Sequence, residues 1–118
     1  MSQNKVTMQV RPVSELVSII DIQGEVTGTA EDLLMEVYNQ AGAVQTLILN
    51  FSQLDYMNSS GIGLLVTLLI RANRQGQHLV AVSLSDHYRH IFDLTGLNQA
   101  IIIYATEAEA LAALTPAA

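Results

Sequence analysis

Apolar positions along the chain follow two rhythms. Residues 16–26 (LVSIIDIQGEV), 46–51 (TLILNF), 79–83 and 100–104 (AIIIY) are nearly continuous hydrocarbon rich in β-branched side chains. Their lengths and composition predict strands, and their continuity predicts burial on both faces of a sheet. Residues 6–10 alternate weakly and predict a short edge strand. Elsewhere the period is helical. Ala30, Leu33, Leu34, Val37 and Ala41 recur on one helix face, and Gly42 follows as a stop. Thr29 is a candidate N-cap with Asp32 in the capping-box position. Residues 52–58 read as a connector. A helix from residue 59 to about residue 75 ends at Gly76, and a third helix is capped by Ser85 and stopped by Gly96. Thr106 and Glu109 form a capping box ahead of a last helix, residues 107–114. Strands and helices alternate from residue 16 onward, which predicts an α/β sandwich with a mainly parallel or mixed sheet.

The second helix opens on residues 57–70, MNSSGIGLLVTLLI. Asn58 and Ser59 are both good N-cap residues, and Asn58 is taken as the cap. One cap suffices, yet Asn58, Ser59 and Ser60 are consecutive. Gly61 and Gly63 each cost about 1 kcal/mol in a helix and leave bare backbone that another molecule can approach. At about 100° per residue, Ile62, Leu65, Val66 and Leu69 share one face, with Thr67, Arg71, Arg74 and Gln75 opposite. Leu64 and Leu68 then fall among the polar positions as surplus apolar surface, to be covered either by another part of the fold or by a partner. A helix N-terminus also receives anions, so a phosphorylated serine here is compatible with the fold.

Composition narrows the field. The chain has 118 residues, the size of one domain, and half of them are apolar. Residues 1–5 and 115–118 are expected to fray. The net charge of −6 disfavours nucleic acid and anionic lipid as partners. There is no cysteine for a disulfide, thiol nucleophile or thiolate metal site. No signal-peptide core is visible, and the longest apolar stretch, residues 62–70, falls well short of the roughly 20 residues of a spanning helix. A cytoplasmic protein without direct membrane insertion is expected. His87 and His90 with Asp86 and Asp93 read as a solvated helix face, not a metal site. The acidic pairs Glu31/Asp32 and Glu107/Glu109 sit where capping explains them. No nucleophile elbow, P-loop or dinucleotide fingerprint occurs, so neither an enzyme nor a cofactor is indicated.

At residues 47–65 (LILNFSQLDYMNSSGIGLL) and 90–111 (HIFDLTGLNQAIIIYATEAEAL) the chain resembles a stand-alone STAS domain of the bacterial anti-sigma factor antagonist family. That family's hallmark is a hydrophobic strand, a connector, then Asp-Ser-Ser/Thr/Ala-Gly-(apolar)-Gly opening a helix. Here it reads Asn58-Ser59-Ser60-Gly61-Ile62-Gly63, while GEVTGTAEDL (residues 24–33) fits the family's earlier turn. The resemblance implies a single domain over residues 1–118, with a mixed sheet of four or five strands and helices packed mainly on one side. It implies partner switching in transcription regulation. The unphosphorylated antagonist binds an anti-sigma factor that is a serine kinase of the histidine-kinase-like ATPase fold. Phosphorylation of the motif's first serine, here Ser59, releases it, and a PP2C-type phosphatase resets it. The protein is then a substrate and ligand rather than a catalyst, and a monomer or weak dimer. The expected partner surface comprises Thr27, Gly28, Thr29, Asn58, Ser60, Gly61, Gly63, Leu64 and Leu68. Many members carry Asp at the position of Asn58. Asn keeps the capping acceptor and removes one negative charge beside the hydroxyl. The rival expectation is a non-switching STAS scaffold subunit of a stressosome-like or lipid-transport ATPase complex.

Overall fold

The computed structural model describes residues 5–114. Five strands, β1 (Val6–Pro12), β2 (Val17–Val26), β3 (Thr46–Met57), β4 (His78–Val82) and β5 (Ile102–Tyr104), form one sheet in the order β1-β2-β3-β4-β5. The β1–β2 pair is antiparallel and the other three pairs are parallel. Four helices, α1 (Glu31–Ala41), α2 (Ser59–Arg74), α3 (Asp86–Thr95) and α4 (Glu107–Leu114), connect or follow the strands.

Each parallel crossover must lay a helix on a face of the sheet, so the inner strands are apolar on both sides. Ile20, Ile22, Leu47, Leu49, Leu79 and Ala81 point to the face that carries α1, α2 and α3. Ile19, Ile48, Val80 and Val82 point to the other face, where Ala110 of α4 packs on them. The mixed sheet with helices mainly on one side is therefore observed, with five strands and only the short α4 opposite. Phe92 of α3 is fully buried and meets Phe51 of β3 edge to face, with ring centroids 6.3 Å apart.

Three expectations are corrected. The connector assigned to residues 52–58 is, up to Met57, the second half of β3. Its side chains are mostly polar and exposed, which hides a strand from a hydropathy reading. Its backbone nevertheless pairs with β2 through Gln53↔Gln23 and Met57↔Val26 across two register shifts. Beside those shifts Gly24 has φ +95°, and a Cβ there would fall on the Lys5 carbonyl. Thr29 does not cap α1. Residues Gly28–Ala30 form a 3-10 turn, α1 starts at Glu31, and the Thr29 hydroxyl lies 3.0 Å from that of Thr27. Glu107 does more than complement a helix end. Its carboxylate accepts from the Asn50 amide at 3.0 Å and pairs with Arg11, which also grips Asp21. The Arg11 guanidinium holds the Glu107 carboxyl below the usual carboxylate range. This pairing ties α4 to β1 and β2 across the second face. The fraying expected of residues 1–5 and 115–118 lies outside the described residues, except at Lys5, whose carbonyl accepts from the Glu25 N–H at 3.1 Å.

Other end signals act as read. Ser85 accepts from the Tyr88 N–H at 3.3 Å, and Gly96 closes α3 in the left-handed region. Thr106 accepts from the Glu109 N–H at 3.1 Å, while the Glu109 carboxylate accepts from the Ala105 N–H at 3.2 Å.

Candidate functional site at the start of helix α2

Strands β2 and β3 finish side by side, with Val26 and Met57 in register. One chain leaves through Thr27 into the turn before α1. The other leaves through Asn58 into α2. Parallel pairing thus brings two loops distant in sequence to one edge of the sheet. A Cβ on Gly28 would stand 3.2 Å from the Ser60 Cβ. The structure therefore brings the turn at Gly28 against Ser60.

Asn58 organises the junction through three bonds. Its N–H donates to the Val26 carbonyl at 3.2 Å, its side-chain Oδ1 accepts from the Gly61 N–H at 2.8 Å, and its carbonyl accepts from the Ile62 N–H at 3.0 Å. An amide oxygen performs this capping as well as a carboxylate, so Asn58 in place of Asp leaves the helix start intact. Ser59 and Ser60 follow as the first helical residues, and both are exposed. No acidic residue lies in the first turn, so the positive end of the helix has no carboxylate of its own to oppose it.

Two of the glycines differ in kind. Gly61 is buried against β2 and β3. A Cβ there would stand 2.8 Å from Met57 Cγ and overlap the Val26 carbonyl oxygen. Its bare backbone serves close packing within the domain. Gly63 is exposed and has nothing within 4 Å of a built Cβ.

The helix is also rotated from the face expected. Its buried side consists of Gly61, Leu64, Leu65, Leu68 and Ala72. Leu64 and Leu68, assigned to the partner surface by their place on the wheel, are 7% and 0% exposed and belong to the core. Val66, expected in the core, is 40% exposed, and Ile70 is 47% exposed. The cause is that α2 is apolar almost all round, so periodicity does not select one stripe. Small residues mark it: at Gly61 the helix backbone approaches the sheet too closely for a Cβ, and Ala72 is fully buried on the same side. Surplus apolar surface does exist on α2, but Val66 and Ile70 supply it, flanked by half-buried Ile62 and Leu69.

A further contributor gives no signal in the sequence. Tyr88 of α3 is buried, and its phenol oxygen accepts from the Met57 N–H at 2.7 Å and lies 3.4 Å from the Met57 carbonyl. It pins the last residue of β3, immediately before Asn58. Helical spacing predicts that Tyr88 faces the core but not where its hydroxyl ends. Tyr88→Phe leaves the buried Met57 N–H without this acceptor and is expected to cost about 1–3 kcal/mol. Chemical denaturation compared with wild type measures it, and a loss of under about 0.5 kcal/mol would show that water replaces the phenol.

An exposed hydroxyl on a rigidly held, uncompensated helix N-terminus can accept a phosphate without disturbing the core. Among the described residues, no cluster of three or more histidines and acids could hold a metal ion. No helix there is long and apolar enough to cross a membrane.

The STAS domain family profile matches residues 8–110. Among solved structures, the anti-sigma factor antagonist SpoIIAA in its unphosphorylated form is 28% identical. It superposes with a TM-score of 0.75 over 92% of this chain and 96% of its own. The phosphorylated form of SpoIIAA, a Bacillus cell fate determinant, is also 28% identical, with a TM-score of 0.73 over 92% of this chain and 100% of its own. An anti-sigma factor antagonist from Mycobacterium paratuberculosis shares the fold at 21% identity, with a TM-score of 0.80 over 96% and 97% of the two chains. The fold also recurs at 20% identity in a sulfate transporter family protein from Wolinella succinogenes, with a TM-score of 0.75 over 87% and 88% of the two chains.

Proposed function

The chain belongs to the STAS domain family, and on that premise we propose that it is an anti-sigma factor antagonist switched by phosphorylation of Ser59. In its unphosphorylated form it binds an anti-sigma factor that is also a serine kinase, in a bacterial cytoplasm. Phosphate on Ser59 ends that contact, and a PP2C-type phosphatase restores it. The chain is the ligand and the substrate, with no catalytic role of its own.

The observation that carries this reading is the setting of Ser59. It is exposed, it stands on the first helical residue, and the first turn contains no acidic side chain. A phosphate of close to two negative charges is stabilised there by the positive helix end of its own domain. On a docked partner, the same charge is an intrusion into a fitted surface. Supporting this, the chain resembles SpoIIAA structures of both phosphorylation states to a similar degree. The turn through Gly28, which abuts Ser60, forms the rim of the proposed surface with Thr27, Thr29 and Gly63.

The test is labelling by the cognate anti-sigma factor with ATP, followed by a binding assay. Ser59→Ala is expected to abolish phosphate incorporation while Ser60→Ala retains it, and Ser59→Asp is expected to lose the partner. If Ser59→Ala is labelled like wild type, the switch lies elsewhere. If Ser59→Asp binds as wild type does, the domain docks without switching.

A further inference from the structure

The exposed ridge of α2 is unusual for this molecule in its charge. Eleven acidic residues give the chain its net charge of −6, yet none occurs between Asp55 and Asp86. Helix α2 falls wholly within that gap and carries two of the five cationic side chains, Arg71 and Arg74. Both are exposed, and neither has a carboxylate within ion-pair distance among the described residues. At about 100° per residue, Ser59, Val66 and Ile70 align along the outward face, with Arg71 and Arg74 on one flank. Helix α2 therefore presents an apolar stripe with a positive N-terminus at one end and two unpaired arginines at the other, on an otherwise acidic protein.

From this charge segregation we infer that the anti-sigma partner docks along the length of α2, not only at its first turn. It presents an apolar groove bordered by carboxylates that face Arg71 and Arg74. This rests on the function proposed above and adds the partner's chemistry. A second copy of the chain fits poorly, because α2 against α2 offers no carboxylate to either arginine in any orientation. An anionic membrane is repelled by the rest of the chain. An acidic-rimmed partner also makes the switch effective: phosphate on Ser59 places like charge on the same stripe, where opposed like charges in an interface are strongly unfavourable.

The experiment measures binding of the full chain to the purified cognate anti-sigma factor at low and high salt. The pair Val66→Gln with Ile70→Gln is expected to weaken binding at least ~10-fold at both salt concentrations, through loss of apolar anchors. The pair Arg71→Gln with Arg74→Gln is expected to slow association ~10-fold at low salt and to flatten the salt dependence. All four side chains are exposed, so thermal unfolding should match wild type. Wild-type affinity in both double variants, with binding still lost in Ser59→Asp, overturns this inference and leaves the switch standing. Failure of the wild-type protein to bind the anti-sigma factor overturns both. A dimer of the wild type in sedimentation that Val66→Gln with Ile70→Gln dissociates gives the face to a second copy and also overturns it.

Discussion

Gly61→Ala is expected to destabilise the domain by about 2 kcal/mol, whereas Gly63→Ala, two residues further on, is expected to stabilise it by up to ~1 kcal/mol. Helix propensity alone predicts the same gain at both positions, because alanine restricts the unfolded chain and suits a helix. Space reverses the sign at Gly61. The added methyl would overlap the Val26 carbonyl oxygen and press on Met57. Neither is the free end of a flexible side chain: the first is backbone, and Met57 Cγ lies midway along a buried side chain. Relief requires α2 to lift from the ends of β2 and β3, which strains the bonds from Asn58 to Val26 and Gly61. At Gly63 the methyl meets open solvent. Urea unfolding of the two variants beside wild type measures the difference, and stabilisation by both would mean that α2 packs less closely than described. In the labelling assay, Gly61→Ala should slow phosphorylation because the serines ride on the displaced turn.

Leu68→Ala is expected to cost about 2–5 kcal/mol, and Ile70→Ala no more than ~0.5 kcal/mol. The two side chains are near neighbours in sequence and similar in size, so composition offers no reason for a difference. Leu68 is fully buried among the side chains between α2 and the sheet, and truncation leaves a cavity that its neighbours close only in part. Ile70 is about half exposed and loses little burial. Thermal unfolding of both variants decides between the two helix orientations. Equal losses, or a larger loss at Ile70, would restore the face that the wheel suggested and return Leu68 to the surface.

That contrast marks how far the sequence is legible here. Where apolar residues are few and well spaced, as on α1, period alone finds Leu34, Val37 and Ala41 in the core. Where nearly every residue is apolar, as on α2, period is silent, and orientation follows from which small residues let the backbone reach the sheet. The start of α2 was legible because its signals are local. Asn58 caps it within four residues, and Ser59 follows as the first helical residue, exposed. The second half of β3 was not legible, because its polar side chains report solvent while its backbone reports β2. The Arg11–Asp21–Glu107 link joins residues 96 apart in sequence, and no local pattern marks such a pair.

By itself, the sequence determined the alternation of strands and helices, the capped starts of α2, α3 and α4, and a serine pair on the first turn of α2, all through contacts within a few residues. The tertiary structure decided the rest: that the Thr27 turn meets Ser60, that Tyr88 pins Met57, and that α2 turns Leu64 and Leu68 inward while Val66 and Ile70 face outward. Each of these depends on how closely one backbone can approach another across the sheet, and that distance is set by shape complementarity between segments the chain order keeps apart.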